Sequence, residues 1–587
     1  MSAIQLEVWD YIIFGLMLLL SSVIGLYHGY QSNKNKRDSK DDYLLAGQSI
    51  SWFPLFISLV ASYLSAIALL GIPSEIYTYG GMYIVIMMSY PLFIFQCLVI
   101  YAPIFRRSKV TSANEYLEKR FHPAVRVFAA ILFIKEYVLY LAVVLYAPSL
   151  ALQAVAGVQM EISLVTIAVV CTIYTTIGGM KGVIWTDVFQ TFIICVGLVV
   201  VVIIGSSEVG GIQNVFEIAE RGGRMNILDF NPDPRVRNTF WSFVFGGMFS
   251  AMPVYCVGQM MVQRIMSAKS EKTVRIALLL QIPGLMVIVG LCTLAGWVIY
   301  ANYEKCDLKS SGQVQSNDQI LAYFLVNKLH HLKGVPGIFM ASLFSGALST
   351  ASSGFNSLAA ITYEDIFKKI HGELSPQQAA KVSKIIAFIY GFVVLGVAFL
   401  VNKMGTMVLQ LAYAIHGVIG GPSMGMFALG MLVPWSNTVG AFLGCVCGIL
   451  ITTWLAVGAF IFPPDKNILP VSIEQCSIFN STTMNATIYH QFQPHNDPLT
   501  SYYSVSYLWW GGVGIISSFV FGMIFSAIYR CCVSEEELEE TRPSKELLFD
   551  YGYMWRCLTC RCSDSEEFKL QHVDKEEFIL NTYHTNE

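Results

Sequence analysis

Between Ser345 and Ser357 the chain reads Ser-Gly-Ala-Leu-Ser-Thr-Ala-Ser-Ser-Gly-Phe-Asn-Ser, a run of hydroxyls inside an otherwise apolar stretch. Gly346, Ser349, Thr350 and Ser353 stand at i, i+3, i+4 and i+7, so on a helix they share one face. Such a face offers several neutral oxygens to one cation. Sodium is a hard ion that prefers oxygen ligands, and neutral ones suit binding that must be reversed. The competing reading is a small-residue packing seam in which serine and threonine satisfy one another. The residues themselves leave both readings open. No nucleophile and base, and no metal-ligand cluster, can be placed at one depth in the chain, so an enzyme is not expected.

The elements that carry this face must be membrane helices. Of 587 residues, 55% are hydrophobic and 13% charged, against about 45–50% and about 25% in ordinary soluble domains. The apolar residues fall in runs of about twenty, the length that crosses a hydrocarbon core of about 30 Å. About thirteen such runs are expected, which makes the fold class an all-α polytopic bundle in a lipid bilayer. The net charge is −3 and no basic stripe exists, so nucleic acid is not an expected partner.

Orientation follows from where Lys and Arg collect. Lys34, Lys36, Arg37 and Lys40, then Arg106, Arg107 and Lys109, then Arg264, Lys269 and Lys272, then Lys368 and Lys369 all follow odd-numbered spans. Those loops are expected to be cytoplasmic, with the N-terminus outside and the C-terminus inside. Met1–Asp10 has no Lys or Arg and no cleavage site follows, so no signal peptide is expected. The polar loop from Pro463 to Tyr502 then falls outside and holds two glycosylation sequons, at Asn480 and Asn485. Cys306 and Cys476 also fall in outside loops, where a disulfide survives, and form a candidate pair. At the other end, Cys531 and Cys532 stand at the membrane exit as candidate palmitoylation sites and Cys557, Cys560 and Cys562 resemble half a metal site, with free cytosolic thiols as the expected reading of both groups.

Two spans are interrupted. The second mixes Ser58, Ser62 and Ser65 with Gly71 and Pro73, and the seventh carries Gly246-Gly247 and Pro253 before Tyr255 and Gln259. An unwound membrane helix exposes carbonyls and amides that an ion, a substrate or water must satisfy. Each interrupted span opens a set of five, which would make the two halves inverted, a pointer to a secondary transporter with its site at mid-membrane; the competing reading is that glycine and proline are simply common in membrane helices. The expected division is 1–50 for the N-terminus with the first helix, 51–205 and 239–433 for the repeats, and 206–238 for an outer loop. Residues 434–530 hold the peripheral helices and 531–587 the cytoplasmic tail.

At these residues the sequence resembles the sodium/solute symporter family (solute carrier family 5), which is similar in fold to LeuT, a five-plus-five inverted repeat. The resemblance rests on Leu45-Ala46-Gly47, Gly71-Ile72-Pro73-Ser74-Glu75-Ile76-Tyr77, Gly178 through Asp187, Val262-Gln263-Arg264, and the hydroxyl face with Asn356-Ser357. The Gly71–Glu75 segment and Leu145-Tyr146-Ala147-Pro148-Ser149 resemble the iodide, monocarboxylate and multivitamin branch, which implies an anionic solute. Carried over by motif position, the family's main sodium site uses backbone carbonyls of Ala61, Leu64 and Gly346 and the hydroxyls of Ser349 and Thr350. The resemblance also implies that Asp187 joins Thr350 and Ser352 in a second cation site or on the sodium exit path. The plain alternative for Asp187 is an N-cap of the sixth span. Tyr63, Ala68, Tyr255, Gln259 and Tyr413 are the substrate-pocket candidates, with core packing as the alternative for each aromatic.

Related carriers commonly have Arg where this chain has Thr78, so the partner that attracts an anion is missing from its usual place. Iodide-type carriers have Gln where this chain has Ala68, which argues against iodide. His416 is read as a hydrogen-bonded structural histidine, and Lys135 and Glu136 as snorkelling or paired. The expected function is sodium-coupled uptake of a small organic anion at the plasma membrane, with sodium co-transported and no specific protein partner identifiable. The competing readings are a carrier for iodide or another solute, and a sodium or ligand sensor that moves nothing.

Overall fold

The structure is a computed structural model that describes residues 7–34, 45–329, 331–401, 407–463, 468–476, 487–488, 498–534 and 543–550. Among the described residues nine helices are long and apolar enough to cross a membrane, or eleven when each of two bent pairs is one span. The expectation of about thirteen is not reached by that measure. Two shorter apolar stretches, Val8–Ile24 and Met160–Ile173, stand where the hydropathy pattern puts the first and fifth spans.

The hydroxyl-rich helix Val335–Ile361 is the centre of the bundle. In Val335–His371, 89% of the most apolar stretch is buried, against 28% in the peripheral Pro376–Val401. Its small residues let neighbours approach closely, as membrane packing requires. The helical segment Met160–Ser207 runs antiparallel along it. Ser342 Oγ donates to the Ile193 carbonyl at 2.9 Å, Ser349 reaches Asp187, and Asn356 Nδ2 donates to Met180 Sδ at 3.4 Å. A methyl on Gly197 would meet Ser342 Oγ at 2.0 Å, so only glycine permits this contact.

Both interrupted spans are broken. Trp52–Ala61 and Ala66–Tyr79 meet at 54°, and Ser242–Val257 and Gln259–Ser267 at 50°. At the first break Ser65 Oγ accepts from the Ala68 amide, and Ser62 Oγ donates back to the Ser58 carbonyl. The second break is a single residue, Gly258, in extended conformation after the π-helical turn Pro253–Val257. Pro253 lacks an N–H to give and its ring crowds the turn before it, which loosens the helix there.

Cys306 and Cys476 are disulfide-bonded, with Cα atoms 5.0 Å apart. The side of the bundle that carries this bond is called the disulfide face below. Asn480, Asn485 and the cysteines at 557, 560 and 562 lie outside the described residues. Cys531 and Cys532 are exposed at the end of Trp510–Cys532.

Candidate cation and solute site

The first broken helix and the hydroxyl helix meet at the break. A methyl on Gly346 would stand 2.8 Å from the Leu64 carbonyl oxygen and 3.2 Å from the Ala66 amide, so the glycine lets the unwound backbone touch the hydroxyl face. Ala61, whose carbonyl accepts from the Leu64 amide at 3.0 Å, ends the preceding helix piece. Thr350 Oγ1 is buried and has no hydrogen-bond partner among the described residues. A buried hydroxyl left unpaired costs about 1–3 kcal/mol, a cost that a bound cation would remove. Ser349 Oγ donates to Asp187 Oδ1 at 2.5 Å, which commits its proton and leaves its lone pairs for a cation. Ser352 Oγ donates to the Ser349 carbonyl at 3.0 Å.

Asp187 is not an N-cap. It lies within the helical segment Met160–Ser207, and its own carbonyl accepts from Thr191 Oγ1. Its carboxylate accepts from Ser58 Oγ at 2.5 Å, from Ser349, and from Arg264 Nη2 at 3.0 Å. Arg264 also donates to Ser58 Oγ, Ser353 Oγ and the Met260 carbonyl. Both charges are fully buried. The pair ties together the two broken helices, the acid-bearing segment and the hydroxyl helix. By sequence Arg264 reads as a loop charge, because it stands in a cluster of basic residues; the fold makes it a buried partner. Gln190, three residues beyond Asp187, is a further member that sequence reasoning does not single out: both ends of its buried amide lack a partner among the described residues. A polar residue on the same helical face as Asp187 is the available signal.

Tyrosines gather beside the first break. Tyr63 lies within the break itself, and Tyr90 donates to its hydroxyl at 2.9 Å. Tyr83 and Tyr413 hydroxyls are 3.1 Å apart, and the Tyr255 ring lies 6.3 Å from Tyr63 and 4.9 Å from Phe93. Ala68 is buried in the first turn after the break. Tyr83 and Tyr90 are not among the sequence candidates, since an aromatic in a third span carries no mark of its partners. Gln259 is a correction. Its Oε1 accepts from the Ala113 amide at 2.7 Å and its Nε2 donates to the Thr111 carbonyl, so it pins a connecting loop and does not join the tyrosines. His416 Nδ1 pairs with Glu136 Oε1 at 2.7 Å, while Lys135 is exposed on the same helix.

Toward the disulfide face the tyrosines are roofed by Arg237, which pairs with Glu75 and stacks on Tyr79 and Tyr507. Beside it Asp318 Oδ2 accepts from the Val408 amide, while Oδ1 has no partner among the described residues. Burial raises the Asp318 carboxyl to about 6, partly offset by the Val408 hydrogen bond. The folded chain therefore holds this proton over a range, from about 4 to 6, where the unfolded chain has lost it. Its contribution to stability is full below about 4 and falls as pH rises to 6, by at most roughly 3 kcal/mol. Asp318→Asn should remove that fall, seen as a flatter dependence of thermal unfolding on pH between 4 and 6; the wild-type slope in the variant would refute the assignment.

The family model described as the sodium:solute symporter family matches residues 43–448. A sodium-coupled monocarboxylate transporter 2 of Mus musculus is 38% identical over 523 residues, covering 89% of this chain and 84% of that protein. A sodium-dependent multivitamin transporter of Oryctolagus cuniculus is 38% identical over 524 residues, covering 88% and 82%. Among solved structures, the substrate-bound outward-open state of a Na+-coupled sialic acid symporter has a TM-score of 0.72 at 24% identity. That match covers 89% of this chain and 98% of the other, a likeness of fold.

Proposed function

The chain belongs to the sodium:solute symporter family, and from that premise we propose that it uses the sodium gradient to carry a small organic anion, a monocarboxylate or vitamin carboxylate, into the cell. The observation that carries the reading is the close approach of the Leu64 carbonyl to Gly346 on the helix whose Thr350 hydroxyl has no partner among the described residues. Carbonyls of Ala61, Leu64 and Gly346 and the hydroxyls of Ser349 and Thr350 are the proposed sodium ligands. Asp187, with Thr350, Ser352 and Gln190, is proposed to receive a cation leaving that site or a second one. The named relatives carry monocarboxylates and vitamins with sodium, which supports a carboxylate as solute.

The disulfide face is proposed to be extracellular, since a disulfide persists in an oxidising compartment. The N-terminus is then outside, the C-terminus cytoplasmic, and the membrane the plasma membrane. Sodium binding between the first broken helix and the hydroxyl helix would favour one of two states by its differential affinity. Each sodium moved across about 100 mV releases roughly 2.3 kcal/mol before the concentration term.

The test is uptake of labelled butyrate, lactate, pantothenate, biotin and iodide into cells expressing the chain, in sodium and in choline medium. Saturable, sodium-dependent uptake of at least one carboxylate is the expected result. Surface-expressed protein that takes up none of the carboxylates would sink the reading and leave the sensor in its place.

A further inference from the structure

A carboxylate that enters a membrane bundle loses water and needs a positive partner. Several arginines are buried, and their hydrogen bonds separate them. Arg224 donates to the carbonyls of Tyr77, Gly222 and Leu469, and Arg120 to those of Gly430, Val433, Pro434 and Ser436. Those two chiefly brace backbone, and Arg126 is held by Asp365, Glu118 and the Glu364 carbonyl. Arg264 is held by Asp187 within the cation network.

Arg237 differs on each count. Among the described residues its guanidinium binds side chains alone: Nε and Nη2 grip the two oxygens of Glu75 at 3.2 and 3.0 Å, and Nη1 donates to Gln410 Oε1 at 3.2 Å. Side-chain partners can be exchanged without unfolding anything. The guanidinium lies 4.2 Å from the Tyr79 ring and 4.8 Å from Tyr507, and Tyr507 packs 5.8 Å from Tyr413 of the tyrosine chamber. It therefore stands one aromatic layer above the chamber. Its side chain keeps 16% exposure where Glu75 keeps 1%, so the arginine is the partner that solvent reaches. Asn238 Nδ2 donates to Glu75 Oε1 at 3.2 Å, so Glu75 keeps a donor when the guanidinium turns away.

We propose that Arg237 receives the carboxylate of the entering solute, exchanging Glu75 for the substrate while the disulfide face is open and returning to Glu75 as it closes. Glu75 occupies the fork as a built-in likeness of the cargo. A planar guanidinium matches a carboxylate with two parallel hydrogen bonds, which a spherical halide cannot form, so the site selects carboxylates. The inference rests on the anionic-solute reading given above.

The experiment measures sodium-dependent uptake of labelled butyrate and pantothenate by the full chain and by Arg237→Gln, Arg237→Lys and Glu75→Gln, each corrected for surface protein. Arg237→Gln is expected to raise the apparent KM about tenfold or more, with the sodium concentration for half-activation unchanged. Arg237→Lys should fall between, because charge remains and the fork is lost. Glu75→Gln should move the other way, lowering KM by removing the competitor while reducing the maximal rate. A simple latch would give Arg237→Gln and Glu75→Gln the same phenotype, and that result overturns the inference, as does a wild-type KM in Arg237→Gln. Should Arg237→Gln fail to reach the surface, the opposed KM shifts of Arg237→Lys and Glu75→Gln decide it. Wild-type protein that reaches the surface and takes up neither carboxylate would overturn the parent reading and this one together.

Discussion

Thr350→Val should leave the protein folded and at the surface while raising the sodium needed for half-maximal uptake tenfold or more, about 1.4 kcal/mol of ion affinity. The two halves of that expectation have separate causes. Valine keeps the shape of threonine and removes a buried hydroxyl that has no partner among the described residues, so the fold loses no hydrogen bond. The proposed sodium site loses an oxygen. Ser349→Ala is expected to do more, since it removes another proposed ligand and also the hydrogen bond to Asp187. Gly346→Ala tests the same site without touching an oxygen, because its methyl would press on the Leu64 carbonyl at 2.8 Å. Sodium activation curves and thermal unfolding in detergent read these effects together. A Thr350→Val protein with unchanged sodium activation would remove the site from this helix face.

Breaking the Asp187–Arg264 pair should cost about 3–5 kcal/mol, because the surviving charge has no route to water. Arg264→Gln leaves a buried carboxylate with two serines for support, and Asp187→Asn leaves a buried guanidinium facing Ser58, Ser353 and a carbonyl. Either variant should lose surface protein and thermal stability. The double variant Asp187→Asn/Arg264→Gln carries no net buried charge, so it should recover much of the stability. Transport should stay low in the double variant, since the proposed cation path has lost the Asp187 carboxylate. Full transport by Asp187→Asn would show that the acid serves neither ion passage nor the fold.

Much of the site is legible in the residues alone. The 3.6-residue period places Gly346, Ser349, Thr350 and Ser353 on one face whatever surrounds the helix. Glycine, proline and clustered serines mark the two breaks, because each weakens a helix for reasons local to its own turn. What faces those features is not legible there. Ser349 bonds an acid 162 residues away, and Arg264 reaches a carboxylate 77 residues away from within a basic cluster that reads as a loop. Gln259 follows Tyr255 by four residues, which on an intact helix would put both on one face. The 50° bend at Gly258 turns it instead toward Ala113.

A membrane bundle with two interrupted helices and one oxygen-rich face can be read from the residues in their order. Those properties depend on composition and on intervals of a few residues, which the chain carries wherever it folds. Which acid the hydroxyls meet, which arginine is buried against it, and which one lies over the tyrosines toward the disulfide face emerge from the folded bundle. Periodicity fixes the angle of a side chain about its own helix axis. The identity of the neighbour at that angle depends on how separate helices pack, and packing is a property of the whole bundle.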